Sequence, residues 1–288
     1  MAKKRYRNKR HGSRLSKISI YVKIFGVGVM ILAFVSLVAY SACAKINDSE
    51  KDYESINLEE LTEVITPGLD DGLLLEYPGY KVFFSNIHHQ PYYSTWILTP
   101  EHVRNTEFSR SNSFRADPDV ENSAQLSDYK YSGYDRGHIA PSADFRYSQE
   151  AQDASFFLTN MSPQLSSLNS GAWNNLEEQC RKWALRDSTL VIVAGPVLSD
   201  YLTESIGESH VTIPDRFFKV VYAPFANPPR AIGFVMPNQY VQGGVQATAM
   251  SVDNVEAITG YDFFSALPDE LEADVESSAN YHIWQNTR

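Results

Sequence analysis

Asp135, Arg136 and His138 place three ionisable side chains within four residues, with Gly137 between the last two. An imidazole exchanges its proton near neutral pH and so suits a general base. Arg136 offers a planar fork that matches phosphate oxygens, and Gly137 permits a turn or a close backbone approach. A structural Asp135–Arg136 ion pair beside an exposed histidine fits the same four residues. A second group lies in LNSGAWNNLEEQCRKWALR, Leu168 to Arg186, which reads as one long helix. At about 100° per residue, Asn169, Trp173 and Leu176 share a narrow stripe, with Glu177 and Arg181 on its shoulder. An amphipathic core helix would place aliphatics there, so polar groups beside an indole point to a site near the helix start. The plainer alternative makes Asn169 an N-cap and Glu177–Arg181 an i,i+4 surface pair. His88, His89 and His102 form a weaker metal candidate, because adjacent side chains of a strand point to opposite faces.

The elements that must position these residues are mostly strands. Tyr80–Ser85 and Tyr92–Leu98 read as a strand and its partner, and Ser188–Leu198 as a buried strand. Arg216–Tyr222 and Ala231–Met236 are two more, joined by the turn-rich APFANPPR. Val252–Ile258 opens a short helix stopped by Gly260. Lys219 interrupts an apolar strand, where it either snorkels to the edge or reaches the site. Asp215-Arg216 reads as a turn pair, and Asp253 and Glu256 as solvated acids. Several strands with few helices indicate an α+β domain.

The composition is that of an ordinary globular chain, with 43% apolar and 21% charged residues in 288. Two cysteines exclude a disulfide scaffold and a Cys-rich zinc site. Cys180 is expected as a lone buried thiol. Residues 1–44 carry nine of the 25 Lys and Arg and none of the 35 Asp and Glu, so the remainder carries 16 against 35, a net of −19. A polyanion site on such a body must be local. Residues 1–23 form a basic, cytoplasmic segment, and residues 24–44 are free of charge. About 20 apolar residues cross a bilayer as a helix, and the basic flank keeps the amino terminus inside. We expect an uncleaved transmembrane signal anchor with the bulk of the chain extracytoplasmic; a cleaved signal peptide and a lipoprotein acylated at Cys43 are the alternatives. Residues 45–75 read as an acidic, solvated stalk, 76–270 as the folded domain, and 271–288 as an acidic peripheral tail.

DRGHIAPSADF, followed about thirty residues on by NMSPQLSSLNSGAWNNLE, resembles the DNA/RNA non-specific endonucleases, the ββα-metal (His-Me finger) nucleases that include the endonuclease G type. Tyr80–Leu98 is similar to the family's opening hairpin and Phe114-Arg115-Ala116-Asp117 to its pre-core loop. IPDRFFKV (213–220) resembles a later strand and VEAITGYDFF (255–264) the closing helix and turn, so the likeness runs over roughly residues 77–268. The resemblance implies a ββα-metal domain with a central antiparallel sheet. It implies a sequence-non-specific, metal-dependent endonuclease that hydrolyses DNA and RNA to 5′-phosphate products. His138 matches the general base and Asn169 the direct ligand to one divalent ion, Mg2+ with Mn2+ as the alternative. Glu177 matches the acid that holds the hydrated ion, and Arg136 and Arg181 match phosphate contacts. Asn160 braces the loop or hydrates the ion, and Asp135 orients its neighbours; Trp173, Pro163 and Gln164 are structural. We expect a narrow basic groove built from Arg104, Arg110, Arg115, Arg136, Arg146 and Arg181, with Arg115 binding substrate. A phosphodiesterase of small nucleotides and a catalytically silent nucleic-acid-binding module are the competing readings. Beyond DNA, RNA and the membrane, a homodimer and an inhibitor protein are further candidate partners, since a free nuclease endangers its host.

Overall fold

The computed structural model describes Ser36, residues 57–199, Tyr201 and residues 204–285. The expected membrane segment 24–44 lies outside them, apart from Ser36. Among the described residues no helix is long and apolar enough to cross a membrane.

The strands are β1 (Val64–Ile65), β2 (Gly72–Tyr77), β3 (Tyr80–Ser85) and β4 (Gln90–Leu98). After the short helices α1 (Pro100–Arg104) and α2 (Leu126–Tyr129) come β5 (Asp135–His138), helix α3 (Gln149–Ala154) and β6 (Met161–Gln164). Helix α4 (Asn174–Asp187) precedes β7 (Leu190–Pro196), β8 (Ser205–Ile206), β9 (Val211–Thr212), β10 (Arg216–Ala223), β11 (Arg230–Pro237) and β12 (Ala249–Met250). Helix α5 (Val252–Thr259), β13 (Asp262–Phe263) and helices α6 (Asp269–Glu276) and α7 (Tyr281–Gln285) close the chain.

Seven strands form one antiparallel sheet in the order β12-β11-β10-β7-β4-β3-β2. Its centre is β7, LVIVAGP, buried along its whole length. Such a run needs cover on both faces, and the period-two alternation of β10 shows what supplies it. Phe217 and Val221 face a core shared with Trp173, Leu176 and Trp183 of the helical side. Phe218 and Tyr222 face the other way, against Tyr261, Phe263 and Phe264. Lys219 shares the parity of Phe217 and Val221, so it points toward the helical side and is fully buried there.

Two expected boundaries move. The stalk does not extend to residue 75. Leu61 is buried, Val64–Ile65 pairs with β13, and β2 adds an edge strand to the main sheet. An acidic run can still donate backbone hydrogen bonds and one anchoring leucine. The C-terminal segment is not peripheral either. Tyr281 and Trp284 are buried, and the indole of Trp284 packs edge-on against Trp183 at 4.8 Å between ring centres. Two large aromatics outweigh the acidic composition around them, because each buried ring removes far more apolar area from water than its neighbours contribute.

The expected helix Leu168–Arg186 is likewise broken. Leu168–Trp173 is a wide turn of π type with a non-helical backbone at Gly171 (φ −104°, ψ −115°), and the regular helix begins at Asn174. Asn169 therefore does not stand on the α4 stripe that a uniform 100° rotation gives.

Candidate active site

The four residues Asp135–His138 form β5, which pairs antiparallel with β6 so that Gly137 faces Ser162 and His138 faces Met161. A Cβ on Gly137 would stand 2.1 Å from the buried Gln164 Oε1, so any larger residue here would have to displace the Gln164 side chain. With α4 following β6, the chain completes a β-β-α unit. Trp173 joins its halves: the indole N–H donates to the carbonyl of His138 at 3.2 Å, while the ring packs on Phe217 of the main sheet.

A cavity of about 830 Å3 opens over this unit. His138, Asn169, Glu177, Arg136, Arg181 and Asp135 all line it. The Asp135–Arg136 pair is not an ion pair. Asp135 instead accepts from Asn169 Nδ2 at 3.0 Å, and this leaves the carboxamide oxygen of Asn169 as the group free to bind. Nor is Asn169 an N-cap.

His138 is 8% exposed, and its Nε2 is buried without a hydrogen-bond partner. Phe114 and Phe156 meet the imidazole at ring-centre distances of 5.4 and 4.9 Å. Burial, reinforced by the positive charges of Arg110 and Arg136, lowers its pKa to about 3. The imidazole is thus neutral across the neutral and mildly acidic range. Glu177 moves oppositely: burial raises its pKa to about 7, although Lys219 and Arg181 pull it down. A half-buried carboxylate on a cavity wall, held short of full ionisation by desolvation, is a group that gains from a nearby cation.

The arginines divide. Arg181 donates to Asp144 at 2.9 Å in a buried ion pair, and Asp144 also accepts from Trp96 Nε1 at 3.1 Å. The i,i+4 pair with Glu177 is therefore not formed. Arg136 lies over the ring of Phe114 at 4.2 Å and is exposed on the cavity wall. Arg110 hydrogen-bonds Ser142 and Asn112 Oδ1 and also lines the cavity. Arg115 does not: its guanidinium stacks on Phe157 at 4.0 Å and donates to the carbonyls of Ser113 and Asp153. The expected substrate contact is spent on the protein's own loop. Arg146 is likewise turned to the carbonyls of Phe108 and Thr106, and Arg104 is exposed outside the lining. The groove thus holds three of the six expected arginines, together with Lys130.

Asn160 is fully buried away from the cavity. Its carboxamide accepts from Ala140 N and Ser94 Oγ and donates to the carbonyls of Ala140 and Ser155, all at 2.9–3.0 Å. That saturates it, so it braces the turn after His138 and has no lone pair left for an ion. Lys219 lies between the rings of Trp173 and Trp96, with Nζ 4.4 and 5.1 Å from the ring centres and without a hydrogen-bond partner. Its coulombic attraction draws the pKa of both Glu177 and Asp144 downward. The three histidines do not converge: His88 bonds Thr212, His89 bonds the Asn122 carbonyl, and His102 stacks on Tyr147. Cys180 is a free, buried thiol.

Sequence reasoning missed Asp144 as the partner of Arg181, the Phe114–Phe156 clamp on His138, and Lys130. The first stands in DRGHIAPSADF itself, but nothing in its spacing announces a partner 37 residues away. The electrostatics are open to direct measurement. An NMR titration of His138 should give a pKa far below the usual 6.5, and Arg110→Ala and Arg136→Ala should each raise it, because each removes a charge that repels the imidazolium. A pKa near 6.5 that neither variant moves would contradict the arrangement.

Comparison with known proteins places this geometry. The sequence model of the DNA/RNA non-specific endonuclease family matches residues 59–270. A nuclease from Nostoc sp. is 32% identical over 226 residues, which cover 73% of this chain and 80% of that protein. The mitochondrial endonuclease G of Homo sapiens is 33% identical over 182 residues, 57% of this chain and 61% of its own length. A solved structure described as an EndoG/EndoGI complex superposes with a TM-score of 0.65 at 30% identity, covering 70% of this chain and 89% of that one. With its central antiparallel sheet and this match over most of its length, the chain belongs to the DNA/RNA non-specific endonuclease family and is a nuclease, a hydrolase of nucleic acids.

Proposed function

We propose that the chain is a metal-dependent endonuclease that cuts DNA and RNA without sequence preference and leaves 5′-phosphate ends. The observation that carries this reading is the convergence of His138, Asn169 and Glu177 on one cavity with Arg110, Arg136 and Arg181 around it. The donor set suits a hard divalent ion, magnesium or manganese. The carboxamide oxygen of Asn169 is free because its nitrogen is committed to Asp135, and Glu177 offers a carboxylate on the same cavity wall for the ion's waters. Bound there, the ion would supply Lewis-acid neutralisation of the charge that builds on the phosphoryl and leaving oxygens.

The chain's own residues do the rest. Arg136 and Arg110 hold the phosphodiester by its non-bridging oxygens, and Arg181 adds positive charge from below, oriented by Asp144. Neutral His138 takes a proton from a water as its oxygen attacks phosphorus. The P–O3′ bond breaks, the phosphate stays on the 5′ side, and the departing O3′ takes a proton from a solvent water to leave as a hydroxyl. A phosphodiester in the cavity brings negative charge toward Arg110 and Arg136. It thereby offsets the part of the depression that Arg110 and Arg136 add to burial, and so makes His138 a stronger base when substrate is present. Contacts that reach phosphates and not base edges carry no sequence information, which accounts for the breadth of substrate. The local cations on an acidic body make binding salt-sensitive.

Nuclease assay on plasmid DNA and on RNA tests the reading. Chelator should abolish cleavage, and magnesium or manganese should restore it. His138→Ala should lower kcat by about 10²–10⁴-fold, the usual worth of a general base, and Asn169→Ala should raise the metal concentration needed. Cleavage indifferent to chelator and to His138→Ala would refute it.

We also propose that residues 24–44 anchor the protein and hold this domain on the extracytoplasmic side, on the strength of the uncharged run and its basic flank. Carbonate extraction should leave the protein in the membrane pellet. Release of a soluble form beginning near Ala44 would show a cleaved signal instead.

A further inference from the structure

Three carboxylates converge at a place none of the cavity-lining residues reaches. Asp253 and Glu256 stand three residues apart on α5 and so share one face of it. Glu276 is the last residue of α6. One carboxylate oxygen from each lies within 4.8 Å of the others. Their burial is graded: Asp253 is exposed, Glu256 is half-buried and Glu276 is only 5% exposed.

The decisive atom is Glu276 Oε1, which is buried and has no hydrogen-bond partner. Glu256 accepts from the backbone N–H of Phe263 at 2.9 Å through Oε1 and keeps its second oxygen. Asp262 and Glu272 add negative charge to the same neighbourhood. The ion pairs among the described residues include none of these five acids. Burial first, and then the charges of Glu256, Glu272, Asp253 and Asp262, raise the pKa of Glu276, as happens when an acid has no cation beside it. A buried carboxylate oxygen without a partner is costly. A cation bound between the three groups would satisfy it and relieve the mutual repulsion of its neighbours in one step.

An all-carboxylate set calls for a hard ion. Oxygens up to 4.8 Å apart are within the span of two Ca–O bonds of about 2.3–2.6 Å. Calcium also accepts the irregular geometry of one exposed, one half-buried and one buried ligand, completed by water. Magnesium requires a near-octahedral set at about 2.0–2.1 Å. We propose that Asp253, Glu256 and Glu276 form a calcium site that clamps α5 to α6, separate from the cavity holding His138 and Asn169. Both helices pack on β11, and α6 leads to the segment that buries Tyr281 and Trp284. Calcium at this point would therefore fix the C-terminal segment to the sheet.

The test uses the full chain in detergent, freed of metal by chelator, in an Asn169→Ala background so that ion binding in the cavity does not contribute. Calcium chloride should raise Tm by about 3 °C at a free concentration about tenfold above Kd, with one calcium bound per chain by isothermal titration. Glu276→Gln should remove the shift and the binding. Asp253→Asn, at an exposed position, should weaken both and carries the same test should Glu276→Gln not fold. The proposal is overturned if calcium leaves Tm unchanged, if the variants respond like their parent, or if magnesium gives an equal shift at equal concentration.

Discussion

The carboxamide of Asn169 is tied by its nitrogen to Asp135 across 3.0 Å, and much of the site depends on that bond. It joins β5 to the irregular turn before α4 and fixes which end of the amide is left free. The same two segments are joined again by the indole of Trp173 on the carbonyl of His138. Between these contacts, the imidazole and the carboxamide oxygen have little freedom to separate. Gly137 leaves room beside it for the buried Gln164 side chain, which any larger residue there would displace. Asn160 finishes it by saturating its own hydrogen bonds on the turn that follows His138.

Beneath this frame lies a set of buried charges that belong together. Lys219, Glu177, Arg181 and Asp144 interact electrostatically, and the alternation of β10 places Lys219 on the same side as Trp173. Removing one member of a buried ion pair costs about 3–5 kcal/mol, because the other is left uncompensated. Such a group is a poor source of stability, and its value here is to set the potential of the cavity wall. The result is a cavity rich in guanidinium groups on a strongly acidic body. Burial, reinforced by those charges, keeps His138 neutral, and burial holds Glu177 short of full ionisation against the pull of its cationic neighbours.

The parts of this architecture written in local periodicity were readable from the chain. Tyr80–Ser85, the strand ending at Leu98 and the pair around APFANPPR show apolar runs bounded by turn residues, and they form β3, β4, β10 and β11 as expected. The helix stopped by Gly260 was equally plain, since that glycine takes up the left-handed conformation at φ 75°. The break at Gly171 was not, because a glycine within a helical pattern is compatible with both continuity and a kink. Nearby residues such as Asp135, Arg136 and His138 announced a site by their density. Asp144, which acts on Arg181, and Arg115, which turns to the Asp153 carbonyl, depend on tertiary partners that spacing does not encode. Composition misled at both ends of the domain: acidic stretches around Leu61 and Trp284 hid the few apolar side chains that anchor them.

Anomalous diffraction from crystals of the protein soaked in manganese tests the central claim most directly. The account predicts a peak at metal–oxygen bonding distance from the Asn169 carboxamide oxygen, within water-bridged reach of Glu177 and beside the His138 imidazole, and absent in Asn169→Ala. A peak elsewhere in the molecule with none at Asn169, or one at Asn169 that survives its replacement by alanine, would contradict it.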